Sequence, residues 1–440
     1  VLNGSRLVIV GEHEHEHEQV NEHEDDDAHV NDYDYVLNGS GTRRRRTRTS
    51  RPPSRGILLA MASAITAHTR AVVAVLLSVT ICLPACSPAT ATDPCNADYE
   101  TPATFDPVLA AQLQTALDAN LAASGAPGAS LTVHIPGQGT FAAGAGMRDI
   151  LAGEPVLPRT RFRVGSITKA FAAAALLRLV ERGELTLDDH PSELLPELGL
   201  DADITFAQLL SHTAGLFNYT DDRGFLALSR DPWEPEEIVA WSLTHEPVGA
   251  PGERYLYSNT DFYVVGLALE ALSGQPFHEH VREQLLDPLE LSDTSEEQHE
   301  GRDCGMSEGY VVTGAPATDD IDMSWTWAAG GLVSTGVDLC RWAEALYRGD
   351  VLSPTSRASL TAWTPQSIEA SDPYGFATQQ ATRGGRSVVG HTGSTMGFKG
   401  ELFIDLETGV CVAVLLNDFV STPSAIAQPA WSAVFEHLGP

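Results

Sequence analysis

The stretch RFRVGSITKAFAAAALLRLVERG (161–183) constrains this chain more than any other. From Ala170 onward its first turns are apolar on nearly every side, and a helix without a polar face must be buried on both faces. At its start stand Ser166 and Lys169. Residues three apart share one helical face, about 5–6 Å apart at Cβ, so the lysine amine can reach the serine hydroxyl. The unpaired N–H groups and positive dipole end of a helix start favour negative charge developing at that serine. That combination turns a poor nucleophile into a usable one. The same pattern also begins ordinary helices, but composition weighs on the choice. Of 27 basic side chains only Lys169 and Lys399 are lysines. Lysine retained among so many arginines suits an amine that must lose its proton.

Two further stretches carry chemistry. In PGERYLYSNTDF, Tyr257 can move a proton if a nearby ammonium lowers its pKa, and Asn259 can hold both a lysine and a substrate amide. Read more plainly, Ser258 or Asn259 caps a helix over 260–272. In VVGHTGSTMGF, His391, Thr392 and Gly393 end a strand. There Thr392 can bond a carboxylate and Gly393 can let a ligand approach the backbone. The plainer reading is a turn at a strand end.

Around these motifs the chain divides by pattern. FDPVLAAQLQTALDANLAAS reads as a helix ended by Gly125, and ASLTVHI and GTFAAGAG alternate as paired strands. From about 185 to 345 short helices alternate with Pro- and Gly-bearing loops; strands return in RSVVGHTG, GELFIDLE and GVCVAVLLN, before a closing helix. Strands at both ends of a helical stretch predict a mixed α/β (α+β) fold, an antiparallel sheet flanked by helices with an inserted all-helical subdomain. The catalytic domain is expected over 104–438.

The order S-x-x-K, Y-S-N, H-T-G resembles the penicillin-recognising serine hydrolases: class C β-lactamases, D-Ala-D-Ala carboxypeptidases and related esterases. LLSHTAGL (209–216) and SWTWAAGGLVST (324–335) add to the resemblance, with His212 expected to shape a turn. The resemblance implies Ser166 as acylated nucleophile, Lys169 and Tyr257 as proton-transfer groups, and Asn259 holding Lys169 and the substrate amide. It further implies the N–H groups of Ser166 and Ser394 as an oxyanion hole, with His391, Thr392 and Gly393 beside the substrate. His391 stands where most β-lactamases carry lysine, and is expected to titrate near neutrality against a substrate carboxylate. Arg383 and Arg386 lie just before that strand. The expected activity is that of a D-Ala-D-Ala carboxypeptidase; an esterase, a weak class C β-lactamase or a silent cell-wall-peptide binder are the alternatives. No cofactor and no metal site are expected, and the partner is a small peptide, ester or β-lactam.

Residues 87–440 carry 48 acidic and 18 basic side chains, a balance that disfavours nucleic acid and anionic membrane faces. One arginine, an apolar run and Leu83-Pro84-Ala85-Cys86 make 61–86 read as a signal peptide of lipoprotein type. Export to the periplasm or beyond follows, with Cys86 as the expected lipid site and the only membrane tie. Residues 1–60, with alternating His/Glu, a repeated VLNGS and an arginine cluster, read as a mis-assigned extension before a start at Met61. Residues 87–103 read as a tether. Cys340 and Cys411 are expected in the core, and Cys95 and Cys304 are candidates for pairing.

Overall fold

Asp106 begins the first helix by accepting hydrogen bonds from the Val108 and Leu109 amides, Pro107 occupies its first position, and Gly125, at φ +76°, ends it. This helix, α1 (Pro107–Ser124), buries Leu109, Leu113, Leu117 and Leu121, one every fourth residue. Each such leucine contributes about 1.5–3 kcal/mol on leaving water. The computed structural model describes residues 99–439 except 227, 229, 303, 304, 313, 314 and 318–320. The expectations for the extension, the signal run, Cys86 and a Cys95–Cys304 pair fall outside the described residues.

After α1 come β1 (Gly128–Ile135), β2 (Gly139–Asp149), β3 (Glu154–Pro155) and β4 (Phe162–Arg163). Helix α2 (Thr168–Glu181) follows, then mostly short helices, among them α3 (Phe206–Leu210), α4 (Pro235–Ser242) and α5 (Asn259–Ser273). Beyond these lie β5 (Ser295–Glu296), β6 (Leu332–Ser334) and α6 (Gly336–Tyr347). The chain closes with β7 (Gln379–Arg383), β8 (Arg386–Thr395), β9 (Phe398–Ile404), β10 (Cys411–Leu416) and α7 (Ser424–Leu438). The main sheet has seven strands in the order β3-β2-β1-β10-β9-β8-β7, every pair antiparallel. A small sheet, β4-β6-β5, leads into the turn that carries Ser166.

The alternation along the sheet strands sorts their side chains into two cores. On one face Leu131, Val133, Val412 and Val414 meet the leucines of α1 and Trp431 of α7. On the other, Leu402, Ile404, Cys411, Ala413 and Leu415 meet α2 and α6. Helix α2 is buried from Thr168 to Leu177, with Phe171 stacked on Trp342 of α6 at 4.0 Å between ring centroids. Its apolar circumference is thus covered by the sheet side and the helices together. Cys340 and Cys411 are both buried with free thiols.

Candidate active site

Between β4 and α2 the chain makes a short 3-10 turn, Gly165–Ile167, that carries Ser166. A Cβ on Gly165 (φ +51°) would fall 2.7 Å from the Ser394 nitrogen, and one on Gly393 would fall 1.9 Å from the Val164 carbonyl oxygen. The two glycines therefore let the turn and β8 touch backbone to backbone. At Gly393 the close approach is made by the Val164 carbonyl. Strand β7 covers β8 only from Arg386 to Gly390, leaving His391–Thr395 without a strand partner on that edge. The Thr392 N–H points along this edge to Gln379. In an antiparallel strand alternate N–H groups share an edge, so the Ser394 N–H faces the same side, next to the Gly165–Ile167 turn.

Lys169 is wholly buried. Its Nζ lies 3.0 Å from Ser166 Oγ, 2.6 Å from Asn259 Oδ1 and 2.8 Å from the Ala329 carbonyl oxygen. Burial drives the amine well below the ordinary lysine value, with the Asp261 charge opposing. A neutral amine has two N–H groups and one lone pair. Asn259 Oδ1 and the Ala329 carbonyl can only accept, so they take both N–H groups. The lone pair is left facing the Ser166 hydroxyl, which is the arrangement a general base requires.

Asn259 is the first residue of α5; its Nδ2 donates to Thr220 Oγ1 at 3.1 Å, and its backbone N–H to Asn218 Oδ1 at 3.0 Å. Ser258 occupies the N-cap position without a side-chain cap bond. The capping alternative is thus corrected: Asn259 turns inward to the lysine. Asn218 and Thr220 were not singled out in the sequence, where short polar residues carry no pattern, and Ala329 entered only as part of the 324–335 stretch.

The Tyr257 ring centre lies 4.9 Å from Lys169 Nζ and 4.2 Å from the His212 ring. His212 does shape a turn, at φ +55°. Its buried ring also backs Tyr257, with Nδ1 2.9 Å from Asp261 Oδ2. Burial lowers the His212 pKa well below the usual imidazole value and raises that of the Asp261 carboxyl, Lys169 opposing the latter. Asp261, invisible as a motif, therefore sits between the histidine and the lysine as a buried acid.

His391 departs most from expectation. It is buried; Nδ1 bonds the Thr392 carbonyl oxygen and Nε2 lies 2.9 Å from the Tyr374 hydroxyl. A carbonyl accepts only, so Nδ1 carries the proton and the Tyr374 hydroxyl donates to Nε2. Burial, then the Lys169 charge, push the imidazole down to about 3. The expectation of a substrate-facing histidine titrating near neutrality is therefore corrected: the ring is a neutral brace between Tyr374 and β8.

The sign of its effect on stability follows. Below its ordinary value of 6.5 the unfolded chain protonates His391, while the folded chain does so only near 3. The unfolded state binds more protons in that window, so stability falls as pH drops, by about 1.4 kcal/mol per pH unit from this residue. We expect His391→Gln to show a shallower loss of unfolding free energy between about pH 6 and about pH 4 by that amount. Urea titrations at each pH check it, and parallel slopes would refute a buried neutral imidazole.

A fold of this kind with a Ser–Lys–Asn cluster at the junction of sheet and helices belongs to a defined class. The Beta-lactamase family model matches residues 113–434, and the chain belongs to that family. Among solved structures it is similar to a D-stereospecific amidohydrolase from Streptomyces sp. This match has 30% identity and a TM-score of 0.64, covering 73% of this chain and 98% of that one. It is also similar to the D-amino acid amidase of Ochrobactrum anthropi in complex with D-phenylalanine, at 25% identity and a TM-score of 0.68, covering 74% and 99%. Among curated proteins, "Protein flp" of Staphylococcus aureus is 24% identical over 319 residues, 70% of this chain. The chain spans 62% of that relative's length.

Proposed function

We propose that this protein is an acyl-enzyme serine hydrolase that cleaves the amide bond on the carbonyl side of a D-configured residue. The observation that carries the reading is the placement of Lys169 Nζ, 3.0 Å from Ser166 Oγ and within hydrogen-bond distance of two acceptors that can take its N–H groups when the amine is neutral. Ser166 Oγ attacks the carbonyl carbon as its proton passes to Lys169. The oxyanion that forms is held by the N–H groups of Ser166 and Ser394, a contribution of several kcal/mol in comparable sites. As the C–N bond breaks, the proton returns to the leaving amine through Lys169 or Tyr257, and water then releases the acyl group by the reverse relay. Carboxypeptidase action on D-Ala-D-Ala peptides is one form of this reaction and release of ammonia from a D-amino acid amide another. The titles of the amidohydrolase and amidase relatives favour D-stereochemistry. Export and lipidation at Cys86 belong to the same proposal and rest on the 61–86 run.

The test is covalent. A neutral fluorophosphonate should label the protein at Ser166, with the label lost in Ser166→Ala. D-alanine or ammonia should be released from D- but not L-configured substrates. A protein that binds such peptides without ever taking a label at Ser166 would be a binding protein, and the reading would fall.

A further inference from the structure

The edge of β8 beside Ser394 is where a substrate must lie to place its carbonyl between the two oxyanion N–H groups, and its chemistry is unusual. Thr392 gives both its donors to one atom: its backbone N–H and its hydroxyl lie 2.8 and 3.0 Å from Gln379 Oε1. A backbone N–H can only donate, so the oxygen of the Gln379 amide must face Thr392. The nitrogen of that amide, with its two N–H groups, has no partner among the described residues.

Both arginines on the neighbouring strands are ion-paired elsewhere. Arg383 of β7 makes a two-point pair with the buried Glu401, at 3.1 and 3.0 Å. Arg386 of β8 lies 2.9 Å from Asp405 and also binds Glu407. Lys399 of β9 reaches over the Phe419 ring, 5.6 Å from its centre. His391 has both nitrogens bonded. Thr392, expected beside a substrate carboxylate, has its hydroxyl turned to Gln379. An acidic surface adds its own repulsion of anions.

We propose that Gln379, braced by Thr392, is a specificity-determining residue. It selects substrates whose group along β8, beside the reacting carbonyl, is an uncharged carboxamide or ester rather than a carboxylate. Gln379 reads that group by donating from Nε2 to a neutral carbonyl oxygen. A carboxylate there would leave water for a site whose arginines are already paired and whose Gln379 supplies only a neutral donor. This rests on the acyl-enzyme reading above, and the two are separable by experiment.

The ligands are N-acetyl-D-alanyl-D-alanine and its C-terminal amide, which differ only in that group. Each is set in competition with a neutral fluorophosphonate for Ser166, and its cleavage is followed directly. Labelling by the fluorophosphonate alone reports the acyl-enzyme reading; its absence would sink that reading, whatever the peptides do. Given labelling, the amide is expected to exceed the acid in kcat/KM and in protection by at least about tenfold. Gln379→Arg should move that ratio toward the acid by about tenfold or more, and the near-isosteric Gln379→Glu should move it the other way. Equal use of the two peptides, preference for the acid, protection by neither, or a ratio indifferent to both substitutions would overturn the proposal. The wild-type comparison stands if a variant fails to fold.

Discussion

Lys169→Arg is expected to lower the rate of Ser166 acylation by about 10²–10⁴-fold, the usual cost of losing a positioned general base. Guanidinium stays protonated at any working pH and offers no lone pair. Its charge alone would preserve any purely orienting role. The site is also closed around Nζ by Asn259, Ala329 and Ser166, so part of the loss is steric. Lys169→Met fills a similar volume without charge and separates the two causes. Both variants should fold, by circular dichroism, and acylate at similarly low rates. A Lys169→Arg enzyme within about tenfold of wild type, below the range for a lost base, would show that charge rather than proton transfer is what the lysine provides.

The second large effect lies one step upstream. Arg163, the last residue of β4, is buried with Glu297: Nε to Oε2 at 2.6 Å and a terminal nitrogen to Oε1 at 2.7 Å. Their side chains are 1% and 6% exposed. Removing one partner strands the other charge away from water, so Glu297→Ala should destabilise the fold by about 3–5 kcal/mol. Urea unfolding monitored by tryptophan fluorescence measures it. Replacing both at once, Arg163→Met with Glu297→Leu, should recover most of that loss, because well-packed apolar pairs can match buried ion pairs. A double variant no more stable than the single one would place the effect in packing instead. Ser166 follows Arg163 by three residues, so acylation should fall with the fold in the single variant and return in the double.

How far the sequence carried depended on whether neighbours in space were neighbours in pattern. The α1 leucines, the all-round apolar α2, the alternating β1 and the continuous apolar run of β10 announced themselves by the pattern of their apolar residues. The Ser166–Lys169 contact was legible for the same reason, being an i, i+3 pair on one turn. Asn259 reached the lysine across 90 positions, and only its Tyr-Ser-Asn setting suggested that. Strand β7 was missed because QQATR has no apolar alternation; it is a half-exposed edge held by pairing to β8. His391 misled for a physical reason. Its type says that it can titrate, and only its burial and two hydrogen bonds, both contributed by the fold, say that it does not. Gln379 and Asp261 gave no signal, as one is an ordinary edge polar residue and the other an ordinary helix-start acid.

The pairing of β1 with β10, in which Ala129 lies opposite Leu416, has a consequence for how the molecule is made. The centre of the sheet is a seam between the first and last strands of the domain, so it cannot close until nearly all of that domain is present. Loop-closure entropy is then met late and all at once, which slows folding relative to chains built from local contacts. Until that moment the apolar strands of the first segment lack their later partners and stay open to aggregation. A molecule so assembled sets Ser166 and Lys169 in their final geometry only after its last strand arrives.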